Sequence, residues 1–96
     1  MISKAHACLF TKQDCKPCTE TKEFLHSLYD EEPDYGLYVS ELKKENHTAL
    51  VCAYELDKFP TLLLVDDQGH ELTRVVGGRE VRKQLPGMLN TLLALG

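Results

Sequence analysis

Cys15 and Cys18 stand with two residues between them, just after an apolar run, Ala7 to Phe10, and just before a segment with helical periodicity. No other feature limits the possible folds of this chain as much. Two cysteines at this spacing can close a small disulfide within the first turn of a helix, or supply half of a zinc site. Pro17, between them, suits a first helical turn, where its missing N–H is not needed. A buried strand, a short loop and a helix whose N-terminus carries the pair are therefore expected. A structural zinc site would need two more ligands, usually a second close pair. His6, His26, His47 and His70 are scattered, and the chain has no second CxxC and no HxxxH. The redox reading is preferred.

Apolar periodicity and turn residues place the other elements. Ala5 to Phe10 is short and apolar, which fits a buried strand, and Thr11 to Asp14 reads as a loop. Phe24, Leu25 and Leu28 share a helical face. Pro33 and Gly36 bracket a turn, and Leu37 to Ser40 reads as a short strand. Asn46 or Thr48 is expected to cap a helix in which Ala49, Leu50, Ala53 and Leu56 share a face. Thr61 to Val65 is apolar without alternation, as in a strand covered on both sides. Asp66 to Gly69 is a tight connection to a strand at Glu71 to Val76, making an antiparallel hairpin. Gly77-Gly78 ends that strand. Val81, Leu85, Met88, Leu89, Leu92 and Leu93 then recur at helical spacing. Pro86-Gly87 leaves two options there: a helix starting near Pro86, or one kinked at it. The order β-α-β-α-β-β-α implies an α/β fold, with a small mixed four-stranded sheet and helices on both faces.

Bulk properties narrow the function. A chain of 96 residues is expected to form one domain, residues 1–96, with one core. Hydrophobic residues at 43% and charged residues at 27% are ordinary for a globular protein. A net charge of −4 argues against nucleic-acid binding, which needs a basic surface to displace counterions. Asp30, Glu31, Glu32 and Asp34 read as a solvated loop. No apolar stretch approaches the ~20 residues that cross a bilayer. Met1 to Phe10 lacks the apolar core of a secretory signal, so a cytoplasmic location without membrane partners is expected. Cys8 and Cys52 lie inside apolar segments and read as packed thiols. The histidines read as surface residues.

Three features occur in order: the CxxC at a helix start, Phe59-Pro60-Thr61 ahead of a central strand, and the glycine pair after a hairpin. With them the chain resembles the thioredoxin superfamily along nearly its whole length. The likeness is mixed. Asp14 stands where thioredoxins usually have Trp, Lys16-Pro17 stands where they have Gly-Pro, and there is no room for their extra first strand and helix. In length and in Thr11-Lys12-Gln13-Asp14-Cys15 the chain is nearer a glutaredoxin, while Phe59 to Leu64 is more like thioredoxin.

The resemblance implies a thioredoxin-like fold and a thiol–disulfide oxidoreductase that reduces protein disulfides, with targets such as ribonucleotide reductase. Physics supports the roles of the two cysteines. A helix N-terminus carries unpaired N–H groups and partial positive charge, which stabilise a thiolate at Cys15. Cys15 is then the nucleophile, and a more sheltered Cys18 resolves the mixed disulfide. Lys12 and Lys16 flank the nucleophile, and Lys12 matches a lysine with which glutaredoxins contact the glutathione carboxylate. The family's proline, here Pro60, is cis and faces the cysteines, so that Phe59 offers its backbone to an extended substrate as Thr61 opens the strand. Phe59, Pro17, Gly77 and Gly78 would form an apolar rim around Cys15. Leu9 occupies the position of thioredoxin's buried Asp, so that proton acceptor is missing.

No cofactor is expected beyond the Cys15–Cys18 disulfide itself, and electrons would come from a thioredoxin reductase or from glutathione. Disulfide-containing proteins are the expected partners, and the chain is expected to be monomeric. The first alternative is a glutathione-dependent glutaredoxin. Arg79 and Glu80 sit where that site needs charge, but Val81 stands where the family has Asp. The second is a non-catalytic binding module on the same scaffold, for which an intact CxxC would be superfluous.

Overall fold

The computed structural model describes residues 5–96. Its strands are β1 (Ala5–Thr11), β2 (Val39–Lys43), β3 (Thr61–Asp66) and β4 (Glu71–Val76), and its helices are α1 (Lys16–Glu31), α2 (Thr48–Ala53) and α3 (Gly78–Leu95). Short 3-10 turns at Pro33–Leu37 and Lys44–Asn46 flank β2. The order is the one expected from the sequence, and the sheet is mixed. Its strands lie in the order β2-β1-β3-β4. β1 and β2 are parallel, as a crossover through α1 requires, while β3 is antiparallel to both β1 and β4. The chain thus has a thioredoxin-like α/β fold.

Alternation along the two central strands divides the core. On one face Ala7, Leu9 and Leu62 pack with Leu25 and Leu28 of α1 and with Val81, Leu85, Leu89 and Leu92 of α3. On the other, Phe10, Leu63 and Val65 pack with Val51 and Leu56. None of the helices among the described residues is long and apolar enough to cross a membrane.

Several local expectations are corrected. β2 begins at Val39, and Leu37 ends a 3-10 turn with 69% of its surface exposed. Pro33 starts that turn, and Tyr35 anchors it by burying its ring and donating its hydroxyl to Asn90 Oδ1. Thr11 belongs to β1, where it pairs with Lys43. Asp30 and Glu31 finish α1 and are exposed there, not in a loop.

α2 differs most. His47 is its N-cap, and the buried residues are Val51 and Leu56, while Ala49, Leu50 and Ala53 are exposed. The helix has six residues, so its period does not reach Leu56. Glu55 adopts a left-handed φ of 55° and turns the chain back, letting the Leu56 N–H reach the Val51 carbonyl at 3.0 Å. Cys52, next to Val51, consequently faces solvent and is not a packed thiol.

α3 runs through Pro86 without interruption, and Val81, Leu85, Leu89 and Leu92 keep one buried face. The proline removes a single hydrogen bond, and packing on the sheet and α1 outweighs that loss. His6 is half-buried and lies 2.8 Å from Ser40 Oγ through its Nε2.

Candidate redox site

Cys15 is the N-cap of α1, with extended backbone at φ −129° and ψ 103°. Its Sγ accepts the Cys18 N–H at 3.2 Å, so sulfur does the capping that an oxygen side chain usually does. Pro17 lies in the first turn. Asp14, just before the cap, has a left-handed φ of 56°, a conformation that Asp tolerates better than most residues. The loop is tied down from outside when the Gln13 N–H donates to Glu45 Oε2 at 3.3 Å.

Cys15 and Cys18 form a disulfide, with Cα atoms 5.2 Å apart. Their environments differ. Cys18 is 1% exposed, whereas Cys15 is half-buried at the surface. Among the described residues no group of three His, Cys, Asp or Glu side chains could hold a metal.

The second wall comes from the start of β3. The Phe59–Pro60 peptide bond is cis, and the Phe59 carbonyl oxygen lies 3.8 Å from Cys15 Sγ. Pro60 and Thr61 are buried, and the Thr61 hydroxyl donates to the Lys58 carbonyl at 2.6 Å. Thr61 therefore braces the turn from inside, while Phe59, half-buried, forms the surface next to the disulfide.

The third wall is the β4–α3 connection. Gly77, at a φ of 96° that favours glycine, donates its N–H to the Pro60 carbonyl at 2.9 Å. A Cβ on Gly78 would lie 3.1 Å from Pro17 Cβ and 3.0 Å from Arg82 Nη1, so glycine lets α3 approach α1 closely. Cys15, Pro17, Phe59, Pro60 and the glycine pair are thus brought together from three segments. Lys12 and Lys16 are exposed beside them. Leu9 is fully buried in the core, and no carboxylate replaces it on β1.

Two features of the site were not read from the sequence. Lys44 Nζ stands 5.6 Å from the centroid of the Phe59 ring, a cation–π approach at the rim. The pairing of Thr11 with Lys43 carries Lys44 there, and only the β1–β2 register could have revealed it. Arg82 Nη1 donates to Thr21 Oγ1 at 3.2 Å across the α1–α3 seam. Those residues are 61 positions apart, and no local pattern links them.

The other thiols lie elsewhere. Cys8 is half-buried, and burial pushes its thiol above the ordinary range. Cys52 is exposed on α2.

No protein-family model matches the chain, and no curated protein matches its sequence. Solved structures do match. A thioredoxin from Fasciola hepatica superposes with a TM-score of 0.73 at 20% identity, covering 92% of this chain and 80% of that one. The germline-specific thioredoxin Deadhead of Drosophila melanogaster gives 0.70 at 22% identity, covering 93% and 81%. Mitochondrial thioredoxin 3 of Saccharomyces cerevisiae, in its oxidised form, gives 0.68 at 20%, covering 93% and 79%. A CxxC disulfide at the cap of the first helix, a cis-proline facing it and these superpositions lead to one conclusion: this chain has the thioredoxin fold.

Proposed function

We propose that the chain is a thiol–disulfide oxidoreductase that reduces disulfides in proteins. The observation that carries this reading is the unequal pair: an accessible sulfur at a helix cap, joined to a buried one, beside the cis Phe59–Pro60 turn. In the reduced protein the helix N-terminus favours a thiolate at Cys15. Cys15 attacks one sulfur of a target disulfide, and the other target sulfur leaves as a thiolate. Cys18 then attacks Cys15 within the mixed disulfide. The second target sulfur leaves, the target holds two more electrons, and Cys15–Cys18 is again a disulfide. The target segment lies extended along Phe59, over the surface formed by Pro17 and the Gly77-Gly78 turn, with Lys12, Lys16 and Lys44 at the margin.

An external reductant must return the pair to the dithiol, either a flavoprotein reductase of the thioredoxin reductase class or glutathione. Insulin-disulfide reduction with thioredoxin reductase and NADPH, repeated with glutathione, glutathione reductase and NADPH, tests the activity and separates the two donors. Turnover in the first system is expected; no turnover in either would sink the proposal and favour a binding module. The couple is expected between those of thioredoxin and protein disulfide isomerase, about −270 to −180 mV. A measured potential above about −150 mV would replace reduction by an oxidase or isomerase role.

A further inference from the structure

Arg82 is half-buried on α3, and among the described residues no carboxylate pairs with it. Its side-chain hydrogen bond goes to the hydroxyl of Thr21, at 3.2 Å. Thr21 is fully buried on α1, three residues after Cys18. Residues at that spacing lie on one helix face with Cβ atoms about 5–6 Å apart. The same guanidinium nitrogen closes on Gly78, whose own close neighbour is Pro17. A cation therefore sits in the α1–α3 seam, held on a residue one helical turn after Cys18. Partial burial of an unpaired charge is costly, and this one lies where a developing negative charge would offset the cost.

We propose that Arg82 is a positioning residue of the dithiol: it clasps α3 to α1 behind Cys18 and holds there a positive charge that favours the reduced pair over the disulfide. The proposal rests on the reading of Cys15 and Cys18 as a working redox pair. Reduction breaks their S–S bond with two electrons from an external thiol couple, and each released sulfur takes a proton or remains a thiolate. Only a thiolate gains from a nearby cation, so the charge acts on the reduced side of the equilibrium. The exposed charged neighbours along the three segments of the site include Lys12, Asp14, Lys16, Lys58, Arg79 and Glu80, with Lys44 and Glu45 beyond Phe59. They are of both signs, so water and mutual cancellation weaken them. Lys22, four residues after Cys18 on α1, is half-buried like Arg82, but it is Arg82 that donates across the seam to Thr21. Leu9, fully buried, contributes no charge from the sheet.

The test equilibrates the full chain in buffers of reduced and oxidised glutathione, in which two glutathione thiols become one glutathione disulfide as the pair is reduced. Alkylation and mass measurement then give the ratio of dithiol to disulfide. Arg82→Gln keeps the length and a donor but not the charge. Its ratio is expected to fall about fivefold, roughly 20 mV toward a lower potential. Arg82→Lys keeps the charge and is expected to stay within about twofold of the unaltered chain. An unchanged ratio in Arg82→Gln overturns the proposal, as do equal shifts in both variants, which would mean a purely structural clasp. Should Arg82→Gln fail to fold, Thr21→Val takes its place. It removes the hydroxyl that anchors the guanidinium and is expected to lower the ratio about two- to threefold, and an unchanged ratio is again fatal. The ratio can be read whether or not the chain reduces any protein. Failure of the reductase reading shows separately, as absent insulin reduction by the unaltered chain.

Discussion

The two faces of the sheet are built unequally. One is covered by two long helices, and of the side chains facing them from β1, Ala7 and Leu9 have no exposed surface and Ala5, at the strand's start, is half-buried. The other is covered by α2, six residues long, and there β1 presents half-buried His6 and Cys8 along with buried Phe10. Helix length accounts for the difference. Sixteen- and eighteen-residue helices lay continuous apolar stripes along the strands, while a six-residue helix delivers Val51 and, after its reversal, Leu56. The redox site draws on both. Cys18 and Pro17 are backed by the α1–α3 side, whereas Phe59 packs against the smaller cluster around Phe10 and Leu56. The well-covered face backs the disulfide, and the thinly covered one supports the cis Phe59–Pro60 turn.

The sharpest test of that division is at the disulfide. Cys15→Ser is expected to lower insulin reduction roughly a hundredfold or more, to background, because the accessible nucleophile is gone. Cys18→Ser is expected to accumulate mixed disulfides with targets, visible on non-reducing gels. Equal trapping by both variants would show that the two environments do not set separate roles.

Reactivity of the remaining thiols should reveal the thin cover directly. In the oxidised protein, iodoacetamide is expected to modify exposed Cys52 about ten times faster than half-buried Cys8, whose thiol is raised by burial. Comparable rates, followed by peptide mapping, would mean that α2 opens readily and covers β1 less than its packing implies.

Stability should follow the same asymmetry. Leu85→Ala, in the α1–α3 core, is expected to cost about 2–5 kcal/mol in urea unfolding. Val51→Ala, under the short helix, is expected to cost about 1–2 kcal/mol. Similar costs would erase the distinction between the faces.

The smallest effect is expected at His6, where burial lowers the imidazole below its ordinary value of 6.5. The unfolded chain then binds a proton before the folded one does as pH falls. Folding stability should therefore decline as pH drops through 6.5 and level off below the depressed folded value. Urea midpoints at several pH values, compared with His6→Gln, check this. A variant that loses as much stability on acidification as the unaltered chain would remove His6 as a cause.

Much of this arrangement could be read along the chain. The CxxC ahead of a helical stripe, Pro60 at the start of an apolar strand and the Asp66–Gly69 reversal each depend on interactions within a few residues. Their outcome is settled by proline's missing N–H, by turn chemistry and by apolar period. α1, β3, β4 and the order of elements follow from such signals. So does the continued face of α3, although its passage through Pro86 needed the sheet and α1 to hold the helix against a lost hydrogen bond.

Other features formed only between distant segments. α2 has too few residues for its period to pick a face, and the left-handed Glu55 turn selected Val51 and Leu56 while leaving Cys52 in solvent. β2 started two residues late because Tyr35 found a partner on α3. Lys44 reached Phe59 through strand register, and Arg82 reached Thr21 through the close approach that Gly78 permits. The sequence by itself determined the kinds and order of the elements and the cysteine pair at a helix start, because these rest on short-range sterics and local hydrogen bonding. Tertiary structure alone decided which face each short element buries and which cation enters the α1–α3 seam, because both depend on packing between residues tens of positions apart.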